Sequence, residues 1–233
     1  MNVAIIAAAG EGKRMAGSRP KQFLELAGAP ILFHTLKAFE CCDVIQEYIV
    51  VILPQEASHF IDLSGKYGLR KLAKVVPGGS TRAESVLKGL QSIREATAEI
   101  VVVHDGVRPF VTSNEIAQTV EVAEKVGAAI LVSKPVDTVK EVSGERVVKT
   151  LRRENLRHAL TPQSFRYALL RQAYEQVDVF DPQLTDESSI VERLGIEVAT
   201  VEGSTRNIKI TREEDLIIAE AIMSQISEQR SAT

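Results

Sequence analysis

Cysteine is scarce in this sequence. The 233 residues contain two, Cys41 and Cys42, and these are adjacent. Sequence neighbours rarely reach disulfide geometry. With no other thiols, a disulfide framework and a Cys-based zinc site are both excluded. This suits a reducing compartment, and a cytoplasmic location is the expectation. The four histidines (His34, His59, His104, His158) show no metal-ligand spacing, and no metal-ligating protein residue is expected. Long hydrophobic runs are also missing. The first apolar run is Val3 to Ala9, with no basic segment before it, which makes a poor signal peptide. It falls far short of the ~20 residues a membrane span needs, and no other stretch comes close, so no membrane partner is expected. Fourteen glycines and eight prolines are too few for a collagen or linker class. Neither sign of charge dominates: 28 Lys and Arg against 31 Asp and Glu give a net charge of −3. Such a chain is a poor general binder of duplex nucleic acid, whose affinity comes from many cation–phosphate contacts.

With 45% hydrophobic and 25% charged residues, the chain has enough apolar surface for a core. At ~150 residues per domain the length fits one large domain or one domain with an elaboration. Short apolar runs at Val3–Ala7, Tyr48–Leu53, Ala73–Val76, Ile100–His104, Ala128–Val132 and Ile196–Val201 read as strands. Most are continuous rather than alternating, as expected for strands covered on both faces. Helical patterns lie between them. Thr81…Glu84, Thr112…Glu115 and Thr211…Glu214 read as three capping boxes. Pro162 suits the first turn of a helix carrying Leu169, Leu170, Ala173 and Tyr174. Thr185-Asp-Glu opens another helix, closed by Gly195. The order predicts an α/β fold: a Rossmann-like, mainly parallel sheet with helices on both faces. One stretch breaks the pattern. Thr138 to Thr150 is two β-like runs about a Ser143-Gly144 turn, a hairpin too polar to fold alone.

Five clusters can carry chemistry. The first strand runs into Ala7-Ala-Ala-Gly-Glu-Gly-Lys-Arg14, small residues that let backbone N–H groups approach an anion. The dinucleotide fingerprint fails at Met15, and Walker A fails at Ala7 and Arg14, so this is a phosphate loop of another kind. Lys13, Arg14, Arg19 and Lys21 follow, a density of cations that a triphosphate requires. Pro77-Gly-Gly-Ser-Thr-Arg-Ala-Glu-Ser85 joins a strand to a helix N-terminus. His104-Asp-Gly-Val-Arg-Pro109 sits at a strand's carboxyl end, where open α/β sheets bind ligands. There Asp105 and Arg108 either contact a ligand or pair with each other, and His104 reads as structural. Thr138, Arg152-Arg153 and Leu160-Thr-Pro-Gln163 lie at or after the hairpin. Finally, Lys209 in Arg206-Asn-Ile-Lys-Ile-Thr211 is either functional or an exposed edge lysine. Cations, glycines and hydroxyls dominate, with no Ser/His/Asp set and no Cys/His pair. A nucleophile already ionised at neutral pH needs no general base. A phosphate monoester attacking a nucleoside triphosphate is such a case, and its catalysis consists of positioning and charge stabilisation.

These segments, with His158-Ala-Leu-Thr-Pro-Gln163 and Thr185-Asp-Glu187, together resemble the bacterial 2-C-methyl-D-erythritol 4-phosphate cytidylyltransferases of the non-mevalonate isoprenoid pathway. The resemblance covers nearly the whole chain. It implies a single nucleotidyltransferase domain over residues 1–233, with 137–158 an inserted β-arm that makes a homodimer. It implies transfer of a cytidylyl group from CTP to methylerythritol phosphate with release of pyrophosphate, and Mg²⁺ held mainly by the CTP phosphates. Carried over by motif, Arg14, Lys21, Arg153 and Lys209 are the catalytic set. Ala8, Ala9, Gly10, Gly12, Gly79, Ser80, Arg82, Ser85 and Gly106 line the CTP site. Asp105, Arg108, Thr138 and Thr185 meet the polyol, with Thr138 and Arg153 serving the neighbouring subunit. The chain departs from the family at Ser80, where Asp or Glu is commoner, at Arg206, where many members are acidic, and mildly at Gly106-Val107. A ribitol 5-phosphate cytidylyltransferase, a non-catalytic nucleotide-binding regulator and a dinucleotide-dependent oxidoreductase stand as alternatives. The Ala-Ala-Ala-Gly loop speaks against the first and Met15 against the last.

Overall fold

The computed structural model describes residues 1–10, 20–94 and 98–231. In chain order the elements are β1 (Asn2–Ala8), β2 (Glu25–Leu26), β3 (Ala29–Pro30), α1 (Ile31–Glu40), β4 (Glu47–Ile52), α2 (Ala57–Tyr67), β5 (Leu72–Pro77), α3 (Arg82–Gln91) and β6 (Ile100–Asp105). Then follow α4 (Ser113–Val126), β7 (Ala128–Ser133), β8 (Lys140–Ser143), β9 (Arg146–Thr150), β10 (His158–Arg166), α5 (Tyr167–Glu175), α6 (Glu187–Glu192), β11 (Ala199–Glu202) and α7 (Glu213–Ser231).

Seven strands form the central sheet in the order β11-β7-β10-β6-β1-β4-β5. All neighbours pair in parallel except β10, which runs antiparallel between β6 and β7. β1 is buried at both faces because each side of the sheet is covered. Its residues Ala4, Ile6 and Ala8 pack with α1, α2 and α4 through Leu36, Phe60 and Val120. Val3 and Ile5 pack on the other face with α3, α5 and α6 through Val86, Leu170 and Val191. This double burial explains the continuous apolar runs in the sequence, and burying each such side chain contributes ~1.5–3 kcal/mol. A third cluster joins α7 to the β2–β3 region and the loop after β6, through Leu26, Val107 and Ala219. The chain leaves β1 toward β4 and β5, then returns to its other side at β6. The carboxyl ends of β1 and β6 therefore flank a topological switch point, the place where open α/β sheets form a ligand crevice.

Several local expectations need correction. Pro162 does not open a helix; it lies inside β10, after a cis Thr161–Pro162 bond. There the pairing with β7 shifts register between Ala159 and Gln163, so a residue without an N–H costs no ladder bond. The helix carrying Leu170, Ala173 and Tyr174 starts five residues later, at Tyr167. The strand expected over 196–201 is confined to Ala199–Glu202. Of the three capping boxes, only Thr112…Glu115 closes reciprocally. Thr81 does cap α3 by accepting from Glu84 N–H, but the Glu84 carboxylate turns to the N–H and hydroxyl of Ser80. Before α7 the reciprocal acceptor is Asp215 rather than Glu214: its Oδ2 takes the N–H of Thr211 and of Arg212. The hairpin forms as β8 and β9, every residue of both strands exposed, with Gly144 at φ 57° in the turn.

Candidate active site

The crevice holds a cleft of about 570 Å³, into which three strand ends and two loops bring their side chains. The end of β1 contributes Ala8, Ala9 and Gly10 as a wall without bulk. Gln22, almost fully buried, donates from Nε2 to the carbonyl of Ala8 at 2.8 Å and so anchors the turn that starts at Lys21. This carries Lys21 to the cleft wall. The first turn of α3 supplies Arg82 and Ser85, and the loop from β5 to α3 supplies Gly79 and Ser80. Its glycines answer a steric need: a Cβ on Gly78 would stand 2.2 Å from the Cβ of Ala9. Gly106 lies beneath the wall, where a Cβ would press at 3.0 Å on both Ala8 and Leu32.

The loop after β5 differs from a phosphate cradle in one respect. The N–H of Gly79 already donates to Ser85 Oγ at 3.0 Å, and that of Ser80 to Glu84 Oε2 at 2.6 Å. The first contact orders the backbone, and the second, with Lys88 and the Ser80 hydroxyl, pulls the Glu84 carboxyl down to about 2. These two N–H groups are thus turned to the protein rather than open to the cleft.

Asp105, at the end of β6 and 5% exposed, is the hub of the charges. Lys209 Nζ lies 2.9 Å from its Oδ2, Arg82 Nε 3.1 Å from its Oδ1, and Arg108 Nε 3.4 Å from Oδ2. Burial alone would raise its carboxyl, but Arg82, Lys209 and Arg108 outweigh that and hold it well below the ordinary carboxylate range. Of the two readings of the Asp105–Arg108 motif, the pairing is observed, and both residues also border open space. Lys209 is no edge lysine. The N–H of Ile210 donates to Val107 O, and Arg108 Nη1 donates to Asn207 O at 2.8 Å, which pins the segment before α7 against β6. His104 is structural. It is fully buried, and burial lowers its imidazole to about 3. Its ring nitrogens meet the Thr161 hydroxyl and the Arg108 carbonyl.

A smaller cavity of about 200 Å³ opens beside the cleft. Arg82, Asp105 and Lys209 border both spaces, while Arg108 and Thr185 border only the smaller one. Thr138 and Arg153 reach neither. Both are exposed at the base of the hairpin, where Arg153 Nη1 donates to Val136 O. Arg14 and Gly12 lie outside the described residues. Sequence reasoning placed Glu187, Tyr174 and Gln163 within motifs or on a helix face but missed the contacts they make. Glu187 is wholly buried and accepts from Arg82 Nη1 through both oxygens, at 2.8 and 2.9 Å. Gln163 on β10 bonds Asp186 and the N–H of Ser188, setting the start of α6. Nothing in local sequence signals a pairing across such separations.

Among the described residues the cleft wall carries Lys21, Arg82 and Lys209 against a single, already neutralised carboxylate. A glycine-lined, cation-walled crevice at the switch point of a mainly parallel sheet defines an α/β nucleotidyltransferase. The sequence matches the family model for 2-C-methyl-D-erythritol 4-phosphate cytidylyltransferase over residues 2–225. It is 44% identical over 221 residues to the enzyme of that name from Halalkalibacterium halodurans, covering 95% of this chain and 96% of that protein. It is 44% identical over 223 residues to the Bacillus cytotoxicus one, covering 96% and 98%. The structure superposes on 4-diphosphocytidyl-2C-methyl-D-erythritol synthase from Anaerococcus prevotii with a TM-score of 0.85 at 33% identity, covering 96% of both chains. With the Francisella tularensis cytidylyltransferase the TM-score is 0.76 at 35% identity, covering 94% of this chain and 97% of that one. The chain belongs to the 2-C-methyl-D-erythritol 4-phosphate cytidylyltransferase family.

Proposed function

We propose that the chain transfers the cytidylyl group of CTP to 2-C-methyl-D-erythritol 4-phosphate. A phosphate oxygen of the methylerythritol phosphate attacks the α-phosphorus of CTP. One P–O bond forms, the bond from the α-phosphorus to the bridging oxygen breaks, and pyrophosphate leaves with that electron pair. The carrying observation is the convergence of Lys21, Arg82 and Lys209 on one cleft, where they offset the repulsion between two polyanions. The attacking phosphate is ionised at neutral pH, so the step needs no base. The buried, neutral His104 fits that reading.

Lys21, with Arg14, stabilises the charge developing at the α-phosphorus. Ala8 to Gly12, Gly79, Ser80, Arg82, Ser85 and Gly106 shape the CTP site. Lys209 aims the methylerythritol phosphate, whose polyol occupies the smaller cavity beside Asp105, Arg108 and Thr185. Mg²⁺ belongs to the nucleotide. Asp105 is engaged by three cations, and the ion, held mainly by the CTP phosphates, would offset part of their charge. Residues 1–233 act as one nucleotidyltransferase domain, with 137–158 as its arm. The arm exposes Val142, Val147 and Val148 at 56–61%. An isolated two-stranded ribbon is marginal in water, so the arm docks on a second copy and presents Thr138 and Arg153 to that copy's cleft. No described helix is long and apolar enough to cross a membrane, and the enzyme works in the cytoplasm.

The test offers CTP with either 2-C-methyl-D-erythritol 4-phosphate or ribitol 5-phosphate and measures pyrophosphate release. Release with the first alone is expected. Release only with ribitol phosphate would move the chain to that substrate, and CTP binding without release would make it a regulator.

A further inference from the structure

Glu187 has no exposed surface, yet it is the strongest partner of a cleft-lining cation. It opens α6, and both its oxygens grip Nη1 of Arg82. From α5, the Tyr174 hydroxyl donates to its Oε1 at 3.1 Å. Asp105 takes Arg82 Nε at 3.1 Å. Two of the three guanidinium nitrogens are thereby fixed from below, while Nη2 has no hydrogen-bond partner among the described residues. Arg82 keeps 28% of its side chain exposed and borders both cavities.

We infer that Glu187 is a positioning residue for the transfer: from beneath the cleft it holds the Arg82 guanidinium where the two substrate cavities meet. The inference rests on the cytidylyl-transfer reading above. Stability alone does not account for the arrangement, since a buried ion pair is often no more stable than well-packed apolar residues of similar volume. Bulk electrostatics opposes it outright, because a carboxylate behind an anion site weakens anion binding. Removing that charge would then tighten CTP binding and speed turnover. Positioning makes the opposite prediction. A cation freed to swing loses its alignment with the charge that develops at the reacting phosphorus.

The test is a double-mutant cycle on the full chain with pyrophosphate release as the assay. Glu187→Gln keeps the volume, removes the charge and turns an amide N–H₂ toward Arg82. A displacement on the order of 1 Å costs ~10²-fold, so kcat/KM for CTP falls by about that factor, most of it in kcat. Glu187→Asp, which keeps the charge, recovers part of the loss. In an Arg82→Met background no guanidinium is left to aim, and Glu187→Gln then changes kcat/KM by less than about twofold. Parental or faster kinetics in Glu187→Gln, or equal losses in both backgrounds, overturn the inference. Should circular dichroism show Glu187→Gln unfolded, Tyr174→Phe carries the test. It leaves both charges and removes the hydroxyl that steadies Oε1, with an expected loss of ~10-fold, and parental kinetics there overturn the inference equally. A parent chain that releases no pyrophosphate overturns the functional reading, and this inference with it. An active parent with an indifferent Glu187→Gln overturns the inference alone.

Discussion

Asp105→Asn removes one negative charge from the point where three cations meet. Lys209, Arg82 and Arg108 stand 2.9, 3.1 and 3.4 Å from its oxygens. Two of them cannot escape: Arg82 is held by Glu187, and Arg108 by the carbonyl of Asn207. Lys209, 35% exposed, can turn to solvent. The new amide also sets N–H against N–H. Breaking a buried ion pair by removing one partner costs ~3–5 kcal/mol, and the freedom of Lys209 places this case near the lower end, about 3 kcal/mol. For a chain of this size each kcal/mol is worth ~2–4 °C, so Tm falls by about 6–12 °C. Because the carboxyl of Asp105 is held below its ordinary range, its contribution is complete above the unfolded value of about 3.9 and is lost only as pH falls below it. The difference in stability between variant and parent is therefore flat from about pH 5 to 8. A polyanion in the cleft takes over part of the missing charge, so inorganic triphosphate raises the variant's Tm more than the parent's. Turnover drops by ~10²-fold or more because Lys209 is no longer aimed. Circular-dichroism melts with and without triphosphate, followed by pyrophosphate-release kinetics, check all of this. A variant melting within about 2 °C of the parent, with no extra gain from triphosphate, refutes the claim that Asp105 neutralises the cluster.

Lys21→Ala removes one cation from the cleft wall without opening the core. It lowers kcat by ~10²–10³-fold while thermal melts stay at the parent's midpoint, and near-parental turnover removes Lys21 from its role. Val147→Glu puts a charge on the exposed hairpin and yields monomers in sedimentation velocity; a chain that is dimeric with or without this change docks by another surface. His104, lowered to about 3 by burial, stabilises the fold fully only above its unfolded value of about 6.5, and that contribution drains away as pH falls toward 3. Denaturant melts of His104→Gln and parent therefore converge from pH 7 to pH 4.5, and a constant gap contradicts the burial argument.

The architecture was legible in the sequence where residues answer to their immediate neighbours. Val3–Ala7 and Ile100–Val103 are continuous apolar runs because strands covered on both faces favour apolar side chains at successive positions. Gly78 announces a close approach to Ala9, and Thr112…Glu115 caps its helix within four residues. Pro162 was misplaced because a proline at a helix start and a proline at a break in strand pairing look alike until the partner strand is known.

Local pattern therefore determined that this chain is an α/β protein with small residues and glycines at its strand ends. Which charges face one another is a different kind of fact. The Arg82–Glu187 grip spans 105 residues and the Lys209–Asp105 contact joins the last loop to a central strand. Such pairs form because the sheet order brings the carboxyl end of β6 beside β1 while loops and helices distant in sequence close over it, and no window of sequence contains that order. A side chain's charge is written in its own residue, whereas the field it works in is written by whatever the fold packs against it.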